Sequence, residues 1–140
     1  MGIRRKAREI ALQVLYQQEL CHIEASEEAL IRFCNNFEIH KKSIPYAKIL
    51  IDGVSGQLEQ VDALIKEHAV NWRLDRMSLV DKSIIRLAIY EMCFQEDVPT
   101  SVAINEAIEV ARKYSTDDAG SFINGILDAV RKAKFCDKEE

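Results

Sequence analysis

The chain has 140 residues, 48% of them apolar and 30% charged, with five Gly, two Pro and a formal net charge of −4. That length suits one domain, spanning 1–140, whose core needs no metal or disulfide staple, and so few Gly and Pro leave little for the turns of an all-β fold. No apolar run approaches the roughly 18 residues of a membrane span, and Ile3 leads straight into arginines without the apolar core of a signal peptide, so a cytoplasmic, all-α protein is expected.

The first stretch, "GIRRKAREIALQVLYQQEL", places Ala7, Ile10, Ala11, Val14 and Leu15 at the spacing of one buried helical stripe. At 100° per residue Arg4 and Arg8 fall on one edge of that stripe, with Leu12 and Tyr16 continuing the same flank, Arg5 farther round and Lys6 on the other side. The charge is unexpected. A helix N-terminus carries about half a positive elementary charge from its unpaired N–H groups, so cations there are mildly unfavourable. The remaining 15 cations of the chain face 23 acidic residues, so a small basic patch sits on a body that is formally −8. Such a distribution disfavours indiscriminate binding of duplex DNA, which needs a broad basic face, and favours a local contact with a polyanion.

Ser26 opens a second helical segment, "EEALIRFCNNF", with Glu27 and Glu28 matched to its positive end. Ser43, Ile44 and Pro45 signal a third start. That segment is periodic through Ile49, Leu50, Val54, Leu58, Val61 and Leu64/Ile65, and Gly53 and Gly56 allow either a close helix crossing or a break. Ser78 and Asp81 form an S-x-x-D start to "LVDKSIIRLAIYEMCF", whose apolar residues cover most of the circumference and leave Lys82, Ser83, Arg86 and Tyr90 on a narrow polar face. This is the pattern of a central helix. Asp97, Val98 and Pro99 end it, Ser101 can cap "VAINEAIEVARKY" with Ile104, Ala107, Ile108 and Ala111 inward, and "STDDAG" separates that helix from "SFINGILDAVRKAKF". The result is a compact bundle of six to seven helices with a frayed tail over 135–140.

Cys21, Cys34, Cys93 and Cys136 lie far apart without a C-x-x-C pair, and His22, His40 and His68 are isolated, so neither a metal site nor a redox motif is indicated. The chain has no glycine-rich phosphate loop, no H-E-x-x-H and no G-x-S-x-G, and Asp117 and Asp118 read as a cap and dipole partner. Neither catalysis nor a cofactor is expected. The basic head is either a solvated helix end or an anion site. Cations at a helix N-terminus add to the dipole's field, and arginine's planar fork grips phosphate oxygens or stacks on a base. Single-stranded RNA fits so small a patch, with Tyr16 and Leu12 supplying apolar contact. The alternative is a helical protein-interaction or homodimeric module whose basic end docks an acidic protein surface.

The blocks "RRKAREIALQVLYQ", "VDKSIIRLAIYE", "DVPTSVAINEAIEVARKY" and "FINGILDAV", in this order, resemble the NusB family of transcription antitermination factors. The resemblance spans nearly the whole chain, while residues 21 to 70 match only in pattern. It implies an all-helical fold of two subbundles and a role in antitermination, notably on ribosomal RNA operons. Such proteins bind the boxA element of nascent RNA together with NusE, a small-subunit ribosomal protein, and the complex joins NusA, NusG and RNA polymerase. On this resemblance Arg4, Arg5, Lys6 and Arg8 form the RNA-binding motif and Phe122 lies on the RNA path, although an aromatic in a first helical turn is also a common core residue. Asp118, just ahead of it, would restrain affinity by repulsion. The resemblance also assigns Asp75 and Asp81 to the NusE contact, where the family commonly carries the longer Glu, and the acidic body would attract a basic ribosomal protein. Some RNA methyltransferases carry a NusB-like domain, but this sequence holds no cofactor-binding βαβ region.

Overall fold

A computed structural model describes residues 2–21, 41–69 and 77–135. The helix expected after Ser26 and the tail beyond 135 lie outside the described residues, as do His22, Cys34, His40, Asp75 and Cys136. The described residues form α1 (Gly2–Cys21), a 3-10 turn (Lys41–Ser43), α2 (Ile44–Gly56), α3 (Leu58–His68), α4 (Leu79–Phe94), α5 (Thr100–Tyr114) and α6 (Ala119–Phe135), with no strand among them. The expected all-α fold is observed. No described helix is long and apolar enough to cross a membrane.

The predicted stripe of α1 is buried, with Ala7, Ile10, Ala11, Val14 and Leu15 all in the core. It packs chiefly on α2, while α5 pairs with α6 and α4 touches both pairs as well as α3. That position explains the near-uniform burial of α4 from Ser83 to Met92. Its polar face is buried at Ser83, Arg86 and Tyr90 and half-buried at Lys82, because Arg86 finds Asp62 and Glu19 while Tyr90 packs under α2. The crossing of α2 over α4 depends on Gly53, where a Cβ would collide with the hydroxyl-bearing edge of the Tyr90 ring.

Several local expectations shift once the elements pack. The long third segment divides at Gln57, whose φ of −117° and ψ of 22° leave the helix and reset its phase. The inward stripe of α2 is Ala47, Leu50, Ile51 and Val54, so Ile49 projects to solvent at 45% exposure, and Leu58 stands at the exposed start of α3. Ser43 precedes α2 as expected, but its hydroxyl donates to the Ile3 carbonyl (2.9 Å) and makes no cap, tying the start of α2 to the start of α1. Ser101 does not cap α5. The Pro99 carbonyl already accepts from the Val102 and Ala103 amides, so helical bonding begins two residues earlier and Ser101 sits in the first turn. The last helix likewise starts at Ala119, which is fully buried and donates its amide to the Thr116 carbonyl.

Candidate nucleic-acid interface

The basic head of α1 faces the C-terminal half of α4, the 95–99 loop and the first turns of α5, and each surface supplies a carboxylate. Arg8 is buried at 6% exposure and grips Glu91 through Nε (2.8 and 3.1 Å) and Nη2 (2.8 Å), while its Nη1 donates to Glu106 at 3.3 Å. The Tyr46 hydroxyl donates to the same Glu91 carboxylate at 2.6 Å. Burial works against the Arg8 charge, but the hydrogen bonds and charge of Glu91 outweigh it and hold the guanidinium above its ordinary value. Burial also raises the Tyr46 hydroxyl, as does its bond to Glu91.

Arg5 makes a bidentate pair with Glu106, through Nε at 3.0 Å and Nη2 at 2.6 Å, and stays partly solvent-facing. That pairing, opposed by partial burial, holds the Glu106 carboxyl below its ordinary range. Arg4 is more open. Its Nη2 contacts Asp97 Oδ2 at 2.5 Å, and its guanidinium rests over the Tyr46 ring at 4.7 Å. Lys6 is exposed and makes no salt bridge among the described residues. One turn on, Glu9 accepts from Lys113 (2.7 Å) and from the Tyr114 hydroxyl (2.9 Å), which binds α1 to the end of α5.

The charge at the start of α1 is therefore answered from within. The sequence-level expectation that phosphates complete the head divides by residue: Arg8 is an internal ion, Arg4 and Arg5 face solvent while paired to the chain's own carboxylates, and Lys6 stands exposed. Patterning could not show Tyr46, Glu91, Asp97 and Glu106 as their partners. The one available signal was Glu91, a carboxylate in the otherwise buried stretch of α4, which demands a partner when desolvated.

The remaining candidate residues lie elsewhere. Tyr16 is half-buried, about 12 Å along the helix axis from Arg8, and with Leu12, Leu20, Val80 and Tyr114 it lines a groove of about 420 Å³. Phe122 is half-buried against the core, on the first turns of α6, and Asp118 is exposed in the preceding turn. Gly120 lies against Ile108, which sets that end of α6 beside the middle of α5, the helix that carries Glu106. Ser78 accepts from the Asp81 amide as the capping pattern predicts, but the Asp81 carboxylate is buried and accepts from the Ser115 hydroxyl at 2.5 Å. Asp81 thus ties the start of α4 to the end of α5. Among the described residues no group of three or more His, Cys, Asp or Glu side chains could hold a metal ion.

The sequence pattern of the NusB family matches residues 5–132. This chain belongs to the NusB family. A transcription antitermination protein NusB of Desulfotalea psychrophila is 45% identical over 136 residues, which cover 94% of this chain and 96% of that one. Among solved structures, NusB of T. maritima is 34% identical with a TM-score of 0.83, covering 97% of this chain and 95% of that one. A crystal structure of antitermination factors NusB and NusE in complex with double-stranded RNA is 30% identical with a TM-score of 0.84, covering 95% of this chain and 98% of that one. The NusB-family match takes in Arg5, Lys6, Arg8, Glu91, Asp97 and Glu106.

Proposed function

We propose that this NusB-family protein is a cytoplasmic transcription antitermination factor, an adaptor without catalysis that binds boxA-type single-stranded RNA of nascent ribosomal transcripts together with NusE. The observation that carries the RNA reading is the division of labour at the head of α1. Arg8 is locked into Glu91 and fixes the helix end, while Arg4, Arg5 and Lys6 form a solvent-facing cationic rim on it. A rigid rim of this kind meets phosphates without first ordering its scaffold. Phe122 stacks a base, Asp118 limits affinity by repulsion, and Tyr16 extends the apolar contact along α1.

On the protein side, the acidic body attracts a basic ribosomal protein, and the complex joins NusA, NusG and RNA polymerase. Asp81, buried and bonded to Ser115, serves that contact by placing the start of α4, and Asp75 is assigned to the same contact by the family resemblance alone. The test is a titration of the protein on boxA-like RNA against a scrambled RNA, with and without NusE. Preference for boxA that strengthens with NusE is expected, whereas equal binding of both RNAs under both conditions would remove the reading.

A further inference from the structure

Arg4 is held by two contacts of different kinds. Its guanidinium lies over the Tyr46 ring, which is itself buried and fixed by Glu91, and one of its nitrogens meets a single oxygen of Asp97. Only the second resembles what a phosphate would offer. Asp97 belongs to the short connection between α4 and α5, where the Val98 amide donates to the Gln95 carbonyl (3.1 Å), Val98 is buried and Pro99 fixes the exit. The loop is anchored by its neighbours, so Asp97 is displayed at Arg4 whether or not the ion pair forms. Both side chains are open to water, Arg4 at 46% and Asp97 at 60%. Glu106 differs, being largely covered and shared between Arg5 and the buried Arg8.

We propose that Asp97 is a selectivity-setting residue of the RNA site, whose carboxylate occupies the place on Arg4 that an RNA phosphate takes, so that binding at this position is an exchange of one anion for another. The inference rests on the reading of the head of α1 as the RNA contact. An isolated phosphate competes poorly, because Asp97 is tethered beside Arg4 at high effective concentration. A polynucleotide already held at Lys6 and Arg5 gains the same advantage and displaces the carboxylate. Tyr46 keeps the guanidinium in place during the exchange, as a cation over an aromatic face does not need the carboxylate for its position. The device thus favours a chain of phosphates over single ones.

Binding of a labelled boxA-like single-stranded RNA to the full chain tests this with Asp97→Asn, Glu96→Gln, Arg4→Ala and the double variant Arg4→Ala/Asp97→Asn. Glu96 is an exposed neighbour that makes no salt bridge among the described residues, so its variant changes net charge alone. Asp97→Asn should bind about two- to five-fold tighter, the range of an exposed ion pair removed from competition, and should gain measurable affinity for inorganic phosphate. Glu96→Gln should change little, and the gain from Asp97→Asn should vanish in the Arg4→Ala background. Weaker or unchanged binding by Asp97→Asn, while Arg4→Ala still weakens binding, would overturn the exchange and leave the RNA site intact. Equal tightening by Glu96→Gln would overturn it in favour of long-range charge. No loss in Arg4→Ala would overturn both the exchange and the assignment of Arg4 to RNA. Asp97→Ser, with unfolding midpoints for each variant, separates these outcomes from misfolding.

Discussion

Arg8 and Glu91 form a bidentate ion pair, both at least 94% buried, with the Tyr46 hydroxyl completing the carboxylate at 2.6 Å. The pair fastens α1 to the central helix at the end where α1 carries its cations. Replacing both charges with apolar groups of similar shape is often neutral, but removing one leaves a desolvated ion without a partner. Arg8→Met or Glu91→Gln should therefore destabilise the fold by about 3–5 kcal/mol, read from urea unfolding. RNA binding by Arg8→Met should be lost in proportion to unfolding. Full stability with lost RNA affinity would instead make Arg8 a direct contact.

The exposed cations give a different signature. With Arg4, Arg5 and Lys6 each meeting a phosphate, binding of single-stranded RNA should weaken with salt at a log–log slope of about −2. Lys6→Ala should lower the steepness of that slope by about 0.7 while leaving the unfolding midpoint nearly unchanged, and Arg5→Ala should lower it equally while also losing the stability of its pair with Glu106. A slope near zero in the parent chain would place the RNA elsewhere.

Gly53 is the point where α2 crosses α4, and any side chain there must displace the Tyr90 ring. Tyr90 is buried and stacked on Phe94 with centroids 5.4 Å apart, so the ring has little freedom to yield. Gly53→Ala should cost about 1–3 kcal/mol of stability despite the gain in helix propensity. Gly56→Ala, with nothing within 4 Å of its Cβ position, should be neutral or slightly stabilising. Thermal unfolding of the two variants makes the comparison.

Acid should loosen the contacts of α1 with α4 and α5. Arg5 draws the Glu106 carboxyl below its ordinary range, and at Glu9 the bonds from Lys113 and Tyr114 outweigh an opposing burial cost, with the same result. At Glu19 burial likewise opposes Arg86 and Lys82, which prevail. A carboxyl that binds its proton less readily when folded contributes stability above its unfolded pKa, and that contribution disappears as pH falls through the lower, folded value. The urea midpoint should thus be flat near neutrality and fall below about pH 4.5. Glu106→Gln should be less stable at pH 7 and show a shallower decline. An unchanged slope in that variant would mean that Glu106 gains nothing from Arg5.

By itself the sequence determined the helices, the buried stripe of α1, the central place of α4 and the family, because a 3.6-residue period and a capping serine report neighbours three or four positions away. It also marked the head of α1 as anomalous. Only the tertiary structure decided what answers that anomaly, since Arg4, Arg5 and Arg8 meet carboxylates 83 to 101 positions distant. It likewise decided that Ile49 faces water and that the Asp81 carboxylate turns inward to Ser115. Charge pairing across helices depends on how rigid elements dock, and no local pattern encodes which of 23 acidic residues arrives beside a given arginine.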